Sequence, residues 1–134
     1  MGRDPASDAA LQALTQIQPM INHYPLGFGQ WLQALAYALS KPKEIAIVGD
    51  PDSADTQDLL VVVRDGCQPF QVVAMGAPDA RTSSVPLLQD RGLLDWYAAA
   101  HLCRNLACQA PVTTPEALEP LLNTRPERTS VALP

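Results

Sequence analysis

The chain contains 134 residues, of which 47% are apolar and 17% charged, so it can bury one core and is not disordered throughout. Nine basic and fourteen acidic residues give a net charge of −5, which excludes a global basic field for nucleic acid or anionic lipid. No apolar run approaches the roughly 20 residues of a membrane span, and neither a signal core nor a dense cysteine framework is present. We therefore expect a cytoplasmic protein with free thiols and without nucleic-acid or membrane partners.

Residues 1–41 are predicted to form a helical hairpin, because their apolar side chains recur at three- and four-residue spacings. Pro19 lies inside the first segment, so that helix should stop or kink there. The Tyr24-Pro25 step disfavours helical backbone at Tyr24 and therefore separates the two helices.

The second helix carries a wide apolar stripe that includes Phe28, Trp31 and Leu35. A single partner helix can hardly cover a stripe of this width. These three residues are a candidate interface, since exposed apolar patches mark interaction surfaces.

A short, mostly β-branched apolar run at residues 44–48 begins the second part of the chain. Such a run is typical of a strand buried on both faces, as in a parallel sheet. A helix with core positions at Leu59, Leu60 and Val63 is predicted to follow, and residues 70–75 are predicted to form a second strand. This order of strand, helix and strand predicts one right-handed parallel crossover.

The remaining elements are a third candidate strand at residues 97–103 and a last helix that starts at Thr114-Pro115. The segment 76–96 is predicted to be a long ordered loop. Residues 42–123 should therefore form an α/β domain with a small three-stranded, largely parallel sheet and flanking helices. Residues 124–134 are polar and aperiodic, which predicts a disordered tail.

Cys103 and Cys108 are candidate redox thiols, five residues apart at a strand end and in the loop after it. A loop that folds back would bring them within disulfide reach. The spacing is not the Cys-x-x-Cys of a thioredoxin-like redox centre, so inert, buried thiols are the favoured interpretation. Adding His101 and Cys67 would suggest a zinc site, but paired close-spaced ligands are missing from the sequence, and we predict no metal and no cofactor.

Gly49 and Asp50 are a candidate ligand crevice, because they follow the first predicted strand at the end where parallel sheets bind ligands. One glycine with two carboxylates, Asp50 and Asp52, makes a poor phosphate cradle, so a turn with a helix cap is favoured over a nucleotide site. No Gly-x-Ser-x-Gly elbow is recognisable either. We therefore predict no catalytic residue and do not expect the isolated chain to be an enzyme.

The string CRNLACQAPVT at residues 103–113 resembles the C-terminal signature of large thioredoxin-domain-containing proteins, whose animal members are called spermatogenesis-associated proteins. The resemblance extends upstream through residues 42–49, Pro86-Leu87-Leu88 and the helix pair around Tyr24-Pro25. It covers residues 8–122, which is most of the chain.

This resemblance implies a thioredoxin-like domain followed by an (α/α) barrel similar to N-acylglucosamine epimerases and glycosidases, with a segment like this one at the end. The hairpin at residues 1–41 would be the end of that barrel, and neither the family's redox motif nor a sugar cleft would lie in this chain. Cys103 and Cys108 match the family's C-terminal cysteines, and Gly49 matches its strand-end glycine, whereas His101 stands where members often have an aromatic residue.

The leading hypothesis is a non-catalytic structural and interaction module. Its partner would be the remainder of the parent protein, that is, the helical barrel and the thioredoxin-like domain. The alternative is a thiol redox module that uses Cys103 and Cys108.

Overall fold

A computed structural model describes residues 5–65, 68–104 and 107–124. The chain divides into two units, residues 1–42 and 43–134. The helices are α1 (Pro5–His23), α2 (Gly29–Leu39), α3 (Ala54–Arg64) and α4 (Pro115–Asn123), and the strands are β1 (Lys43–Val48), β2 (Gln71–Gly76), β3 (Ala99–Arg104) and β4 (Ala107–Cys108). Short 3-10 turns lie at Pro25–Phe28, Ala80–Thr82 and Pro86–Leu88.

The first unit contains α1 and α2, which contact each other. α1 continues through Pro19 to His23, so the helix does not stop at this proline. Proline has no backbone N–H and so removes one hydrogen bond of the helix. At Pro19 this missing bond lies at the last turn of α1, which ends four residues later at His23. The helix ends where Tyr24 leaves the helical backbone region in front of Pro25.

The second unit is built on a four-stranded mixed sheet of order β2-β1-β3-β4. β1 pairs in parallel with β2, whereas β3 runs antiparallel to β1 and β4 runs antiparallel to β3. The prediction of a three-stranded, largely parallel sheet is therefore wrong, although the α/β class and the parallel crossover through α3 are present. The short strand β4 falls where the sequence predicts only a loop.

The direction of β3 follows from the segment that precedes it. β2 ends beside the end of β1, where the Gly49 N–H donates to the Gly76 carbonyl oxygen at 3.0 Å. Residues 77–98 contain two 3-10 turns but no α-helix that would carry the chain back to the end of the sheet where β1 and β2 begin. β3 therefore starts at the end of the sheet where β1 and β2 finish, with Ala99 opposite Val48. An apolar run indicates burial of both faces of a strand, but it carries no information on the direction of the neighbouring strand.

Alternation along β1 builds one core on each face of the sheet. Ile45 and Ile47 belong to the core that includes α3 and α4, and the three predicted positions of α3 are buried in it. Ala46 and Val48 pack on the other face with buried side chains of the 3-10 turns after β2. Because both faces are covered, β1 is buried from Ile45 to Val48.

Two positively charged side chains donate hydrogen bonds at the carboxyl end of α4. Lys43 and Arg104 lie opposite each other in the β1–β3 pair and donate to the carbonyl oxygens of Leu122 and Thr124. Positive charge is favourable at this end of a helix. Burial, and then the Arg104 charge, lower the pKa of Lys43.

Within the three described ranges, no helix combines the length and apolar character that crossing a membrane would require. Of the predicted tail at residues 124–134, all but Thr124 lies outside the described residues.

Candidate functional site

The β3–β4 pair holds a disulfide bond between Cys103 and Cys108. The two residues are directly opposite in the antiparallel register, and their Cα atoms are 4.0 Å apart. The Gln109 N–H donates to the Leu102 carbonyl oxygen beside them, so Cys103 and Cys108 form a non-hydrogen-bonded pair, the type in which opposing side chains are closest. The structure therefore contains a disulfide bond, whereas the sequence analysis favoured two free, buried thiols.

The two sulfur-bearing residues differ sharply in exposure. Cys103 is 1% exposed within the sheet, whereas Cys108 is exposed at the short edge strand. Glu44 of β1 lies opposite Cys103 in the register and is half-buried. An external reagent therefore reaches the bond from the Cys108 side.

Arg91 brings a positive charge to the sulfur of the exposed Cys108. Its Nη2 donates to Cys108 Sγ at 3.8 Å, while its Nη1 is buried and has no hydrogen-bond partner among the described residues. The backbone N–H of Arg91 donates to the Leu88 carbonyl oxygen at 3.3 Å, which anchors the residue to a 3-10 turn that packs on the sheet. Sequence reasoning missed Arg91, because nothing in its local sequence relates it to a cysteine 17 residues later.

His101 lies two residues before Cys103 on β3 and therefore shares its face of the sheet. Its Nε2 is 3.1 Å from the Gly92 carbonyl oxygen, which can only accept, so Nε2 carries a proton. Burial lowers the pKa of His101, the Gly92 hydrogen bond raises it, and the Arg91 charge lowers it further, with a net lowering. The Nδ1 atom of the neutral ring is left as an acceptor.

Gly49 of the predicted crevice is closely surrounded by two neighbouring elements. A Cβ atom at Gly49 would lie 2.2 Å from Thr56 Oγ1 and 2.8 Å from the Ala98 Cβ. Gly49 therefore allows the start of α3 and the residue before β3 to approach β1 closely. This packing accounts for a glycine at the strand end without a ligand.

Asp50 is exposed and caps the turn that follows β1. Its Oδ1 accepts from the Asp52 N–H at 3.0 Å, and the Ser53 hydroxyl donates to its carbonyl oxygen at 2.8 Å. Asp55, near the start of α3, accepts from the Ala98 N–H at 2.9 Å and ties α3 to the start of β3. The Ser53 and Ala98 hydrogen bonds lower the pKa of Asp55.

The predicted interface residues lie on or just before α2. Trp31 is 37% exposed, and Phe28 and Leu35 are half-buried. The most exposed large apolar side chains among the described residues of this unit lie outside the predicted interface set, namely Leu26 at 99% and Leu39 at 79%. Leu26 lies in the 3-10 turn between the helices, outside the helical periodicity that the prediction used.

In the described part of the chain, no group of three His, Cys, Asp or Glu side chains is placed to bind a metal ion. Cys67, which the zinc hypothesis also used, lies outside the described residues.

Fold and site together describe a mixed α/β domain with a cross-strand disulfide next to an arginine. The chain is 29% identical to spermatogenesis-associated protein 20 of Homo sapiens over 119 residues, which cover 87% of this chain and 15% of that protein. The proteins of the same name from Rattus norvegicus and Mus musculus are 29% and 28% identical over the same lengths. The chain thus spans about 15% of the length of the curated relatives it matches. No protein-family profile and no solved structure matches it. The similarities support a relation to the spermatogenesis-associated proteins, and a thioredoxin-like domain is not shown by them.

Proposed function

We propose that this chain is a structural and interaction module that docks on the remainder of a longer polypeptide through the apolar surface of its helical unit. We define this docking surface as Leu26, Trp31 and Leu39, together with the predicted residues Phe28 and Leu35. Only one described residue of the helical unit, Ile21, is buried. This observation carries the proposal, because a helix pair with so little buried apolar area lacks the main force that stabilises helices in proteins.

The polypeptide that would cover the docking surface is inferred from the lengths of the relatives. The matching segment is 15% of spermatogenesis-associated protein 20, so those chains contain several times more polypeptide with which such a surface can pack. The apolar character of the docking surface calls for apolar helices on the other side, since packed helices bury apolar faces against one another. The helical barrel implied by the sequence resemblance has this chemistry.

Exposure of Trp31 tests the proposal in the chain itself. A Trp96→Phe variant leaves Trp31 as the single tryptophan. We expect its fluorescence to be quenched readily by acrylamide, and we expect a hydrophobic dye to bind the chain. A Trp31 protected from quencher together with no dye binding would show that the surface is already covered, and the proposal would be wrong.

Variants then locate the surface. Trp31→Glu combined with Leu39→Glu should abolish dye binding. Trp96→Glu is the matched control, because Trp96 is 93% exposed but lies in the other unit. Equal dye binding by the two variants would place the dye site elsewhere and contradict the assignment of the docking surface.

A second candidate function is reversible thiol–disulfide exchange at Cys103 and Cys108. The specific observation that favours it is a disulfide with one exposed cysteine, since access is one determinant of exchange rate. Counting free thiols by alkylation and intact mass across glutathione redox buffers tests it. A bond that opens and closes within the cytosolic range supports exchange, and a bond that stays closed in every buffer contradicts it.

A further inference from the structure

We propose that Cys108 is the nucleophile that exchanges with external disulfides, that Arg91 stabilises its thiolate, and that Cys103 is the resolving cysteine. The proposal rests on the second candidate function and adds the role of each residue and the class of substrate. The substrate is a small disulfide-bonded peptide, for which glutathione disulfide is the probe.

Exposure assigns the first sulfur. An incoming disulfide must approach the sulfur that attacks it, and Cys103 is 1% exposed whereas Cys108 is exposed. Cys103 therefore reaches only the sulfur already beside it, which is that of Cys108 across the β3–β4 pair.

The charges around the two sulfurs point the same way. Arg91 Nη2 lies 3.8 Å from Cys108 Sγ, and a cation next to a cysteine favours its thiolate. Cys103 is buried and lies opposite Glu44 in the β1–β3 register, and both burial and a neighbouring negative charge disfavour a thiolate. His101, on the same face as Cys103, carries its proton on Nε2 toward Gly92 and adds no positive charge while it is neutral.

The buried Nη1 of Arg91 is a second, independent observation. It has no hydrogen-bond partner among the described residues, and a buried donor of a charged group is costly when unpaired. In the oxidised state, Nη2 of the guanidinium donates to a disulfide sulfur, which is a weak acceptor. In the reduced state, a Cys108 thiolate places an anion at Nη2 of this guanidinium.

The exchange balances in two steps. The Cys108 thiolate attacks one sulfur of glutathione disulfide, so that a Cys108–glutathione bond forms, the glutathione S–S bond breaks, and the first glutathione leaves as a thiolate. Cys103 then loses its proton to solvent and attacks Cys108 Sγ. This step forms the Cys103–Cys108 bond of the structure and releases the second glutathione thiolate. The protein gives up two electrons and two protons, and the external disulfide becomes two thiols.

Single-cysteine variants test the assignment, all in a Cys67→Ser background. Reduced Cys103→Ser should accumulate one glutathione adduct at Cys108, detected by intact mass, and Cys108→Ser should form an adduct at Cys103 at least about tenfold more slowly because of burial. Comparable rates in the two variants would overturn the assignment. Partial alkylation of the reduced chain, with both cysteines present, gives the same comparison without a serine substitution in the sheet. Cys108 should be labelled first, and earlier labelling of Cys103 would overturn the assignment.

Arg91 is tested by the pH dependence of the same reaction. Arg91→Gln should slow adduct formation in Cys103→Ser about threefold near pH 6.5 and shift the half-maximal rate to higher pH. Arg64→Gln, which removes an exposed arginine at the end of α3, is the matched control and should leave the profile unchanged. Identical profiles for the two variants would remove Arg91 from the mechanism. Failure of exchange itself would instead appear as a wild-type bond that never opens in glutathione buffers while the reduced variants still react.

Discussion

Replacing Gly49 with alanine tests whether the end of β1 is filled by protein or left open for a ligand. The added Cβ would lie 2.2 Å from Thr56 Oγ1 and 2.8 Å from the Ala98 Cβ, both closer than real Cβ contacts. Thr56 is fully buried, and its hydroxyl lies 2.8 Å from the Ser53 hydroxyl, so it has little freedom to move away. Gly49 has no positive φ, so the cost of the substitution is steric.

The magnitude follows from two opposing effects. Overpacking of a core costs typically 1–3 kcal/mol, and two contacts this short place Gly49→Ala near ~3 kcal/mol. Alanine also restricts the unfolded chain, which offsets roughly 0.7 kcal/mol. We therefore expect a net loss of about 2 kcal/mol in the free energy of unfolding, equivalent to a Tm lower by about 10 °C for a unit of this size.

Urea unfolding of Gly49→Ala, Gly29→Ala and wild type measures this effect. Gly29→Ala is the control, because nothing lies within 4 Å of its added Cβ and alanine is a better helix former at the start of α2. Gly49→Ala with Thr56→Ala should lose less than the sum of the single variants, since the two side chains compete for one space. A Gly49→Ala chain as stable as wild type would refute the close packing and favour the crevice hypothesis.

Four further predictions concern other parts of the second unit. Because burial and Arg91 lower the pKa of His101 below 6.5, the unfolded chain takes up this proton first, and the free energy of unfolding should fall as pH decreases from 6.5 through the lowered pKa. In urea titrations, the stability of His101→Asn should no longer fall in this pH range, although Glu44 remains on the same face of the sheet. An unchanged pH dependence would contradict the assignment of this effect to His101. Reducing the Cys103–Cys108 bond should lower the free energy of unfolding by about 2 kcal/mol for a loop of about six residues, whereas a double alanine variant should not respond to reductant. Trp96 has φ 72° on an exposed turn, so Trp96→Gly should raise the free energy of unfolding by about 1 kcal/mol, and a lower value in calorimetry would mean that the indole makes contacts of its own. β2 is an edge strand without a charged residue from Gln71 to Gly76, and Val73 within it is 41% exposed. Val73→Lys should therefore reduce self-association in light scattering relative to Val61→Lys on α3, and equal effects of the two variants would count against association through this edge.

Local signals in the sequence predict several elements correctly for identifiable reasons. Thr114 caps α4 through its hydroxyl, which accepts from the Ala117 N–H, because threonine before proline is a strong helix start. Leu59, Leu60 and Val63 are buried because helical spacing places them on one face. These signals depend on the chain within a few residues, which is where single-sequence reasoning has information.

The candidate site shows the opposite case. Cys103 and Cys108 attract attention in the sequence, but their pairing depends on an antiparallel hairpin that a five-residue spacing allows without requiring. Arg91 reaches Cys108 only because residues 77–98 pack on the second face of the sheet. The role of Gly49 likewise depends on α3 and the start of β3 arriving at the same point.

The sequence by itself therefore determined the alternation of helices and strands, the burial of both faces of β1 and the relation to longer proteins. These properties follow from periodicity, capping residues and similarity, all of which can be seen along one chain. The tertiary structure alone decided the direction of β3, the fourth strand, the disulfide and the position of Arg91. Each of these depends on the end of the sheet at which the chain enters β3 after β2. Long-range packing determines that end, and neighbouring residues do not.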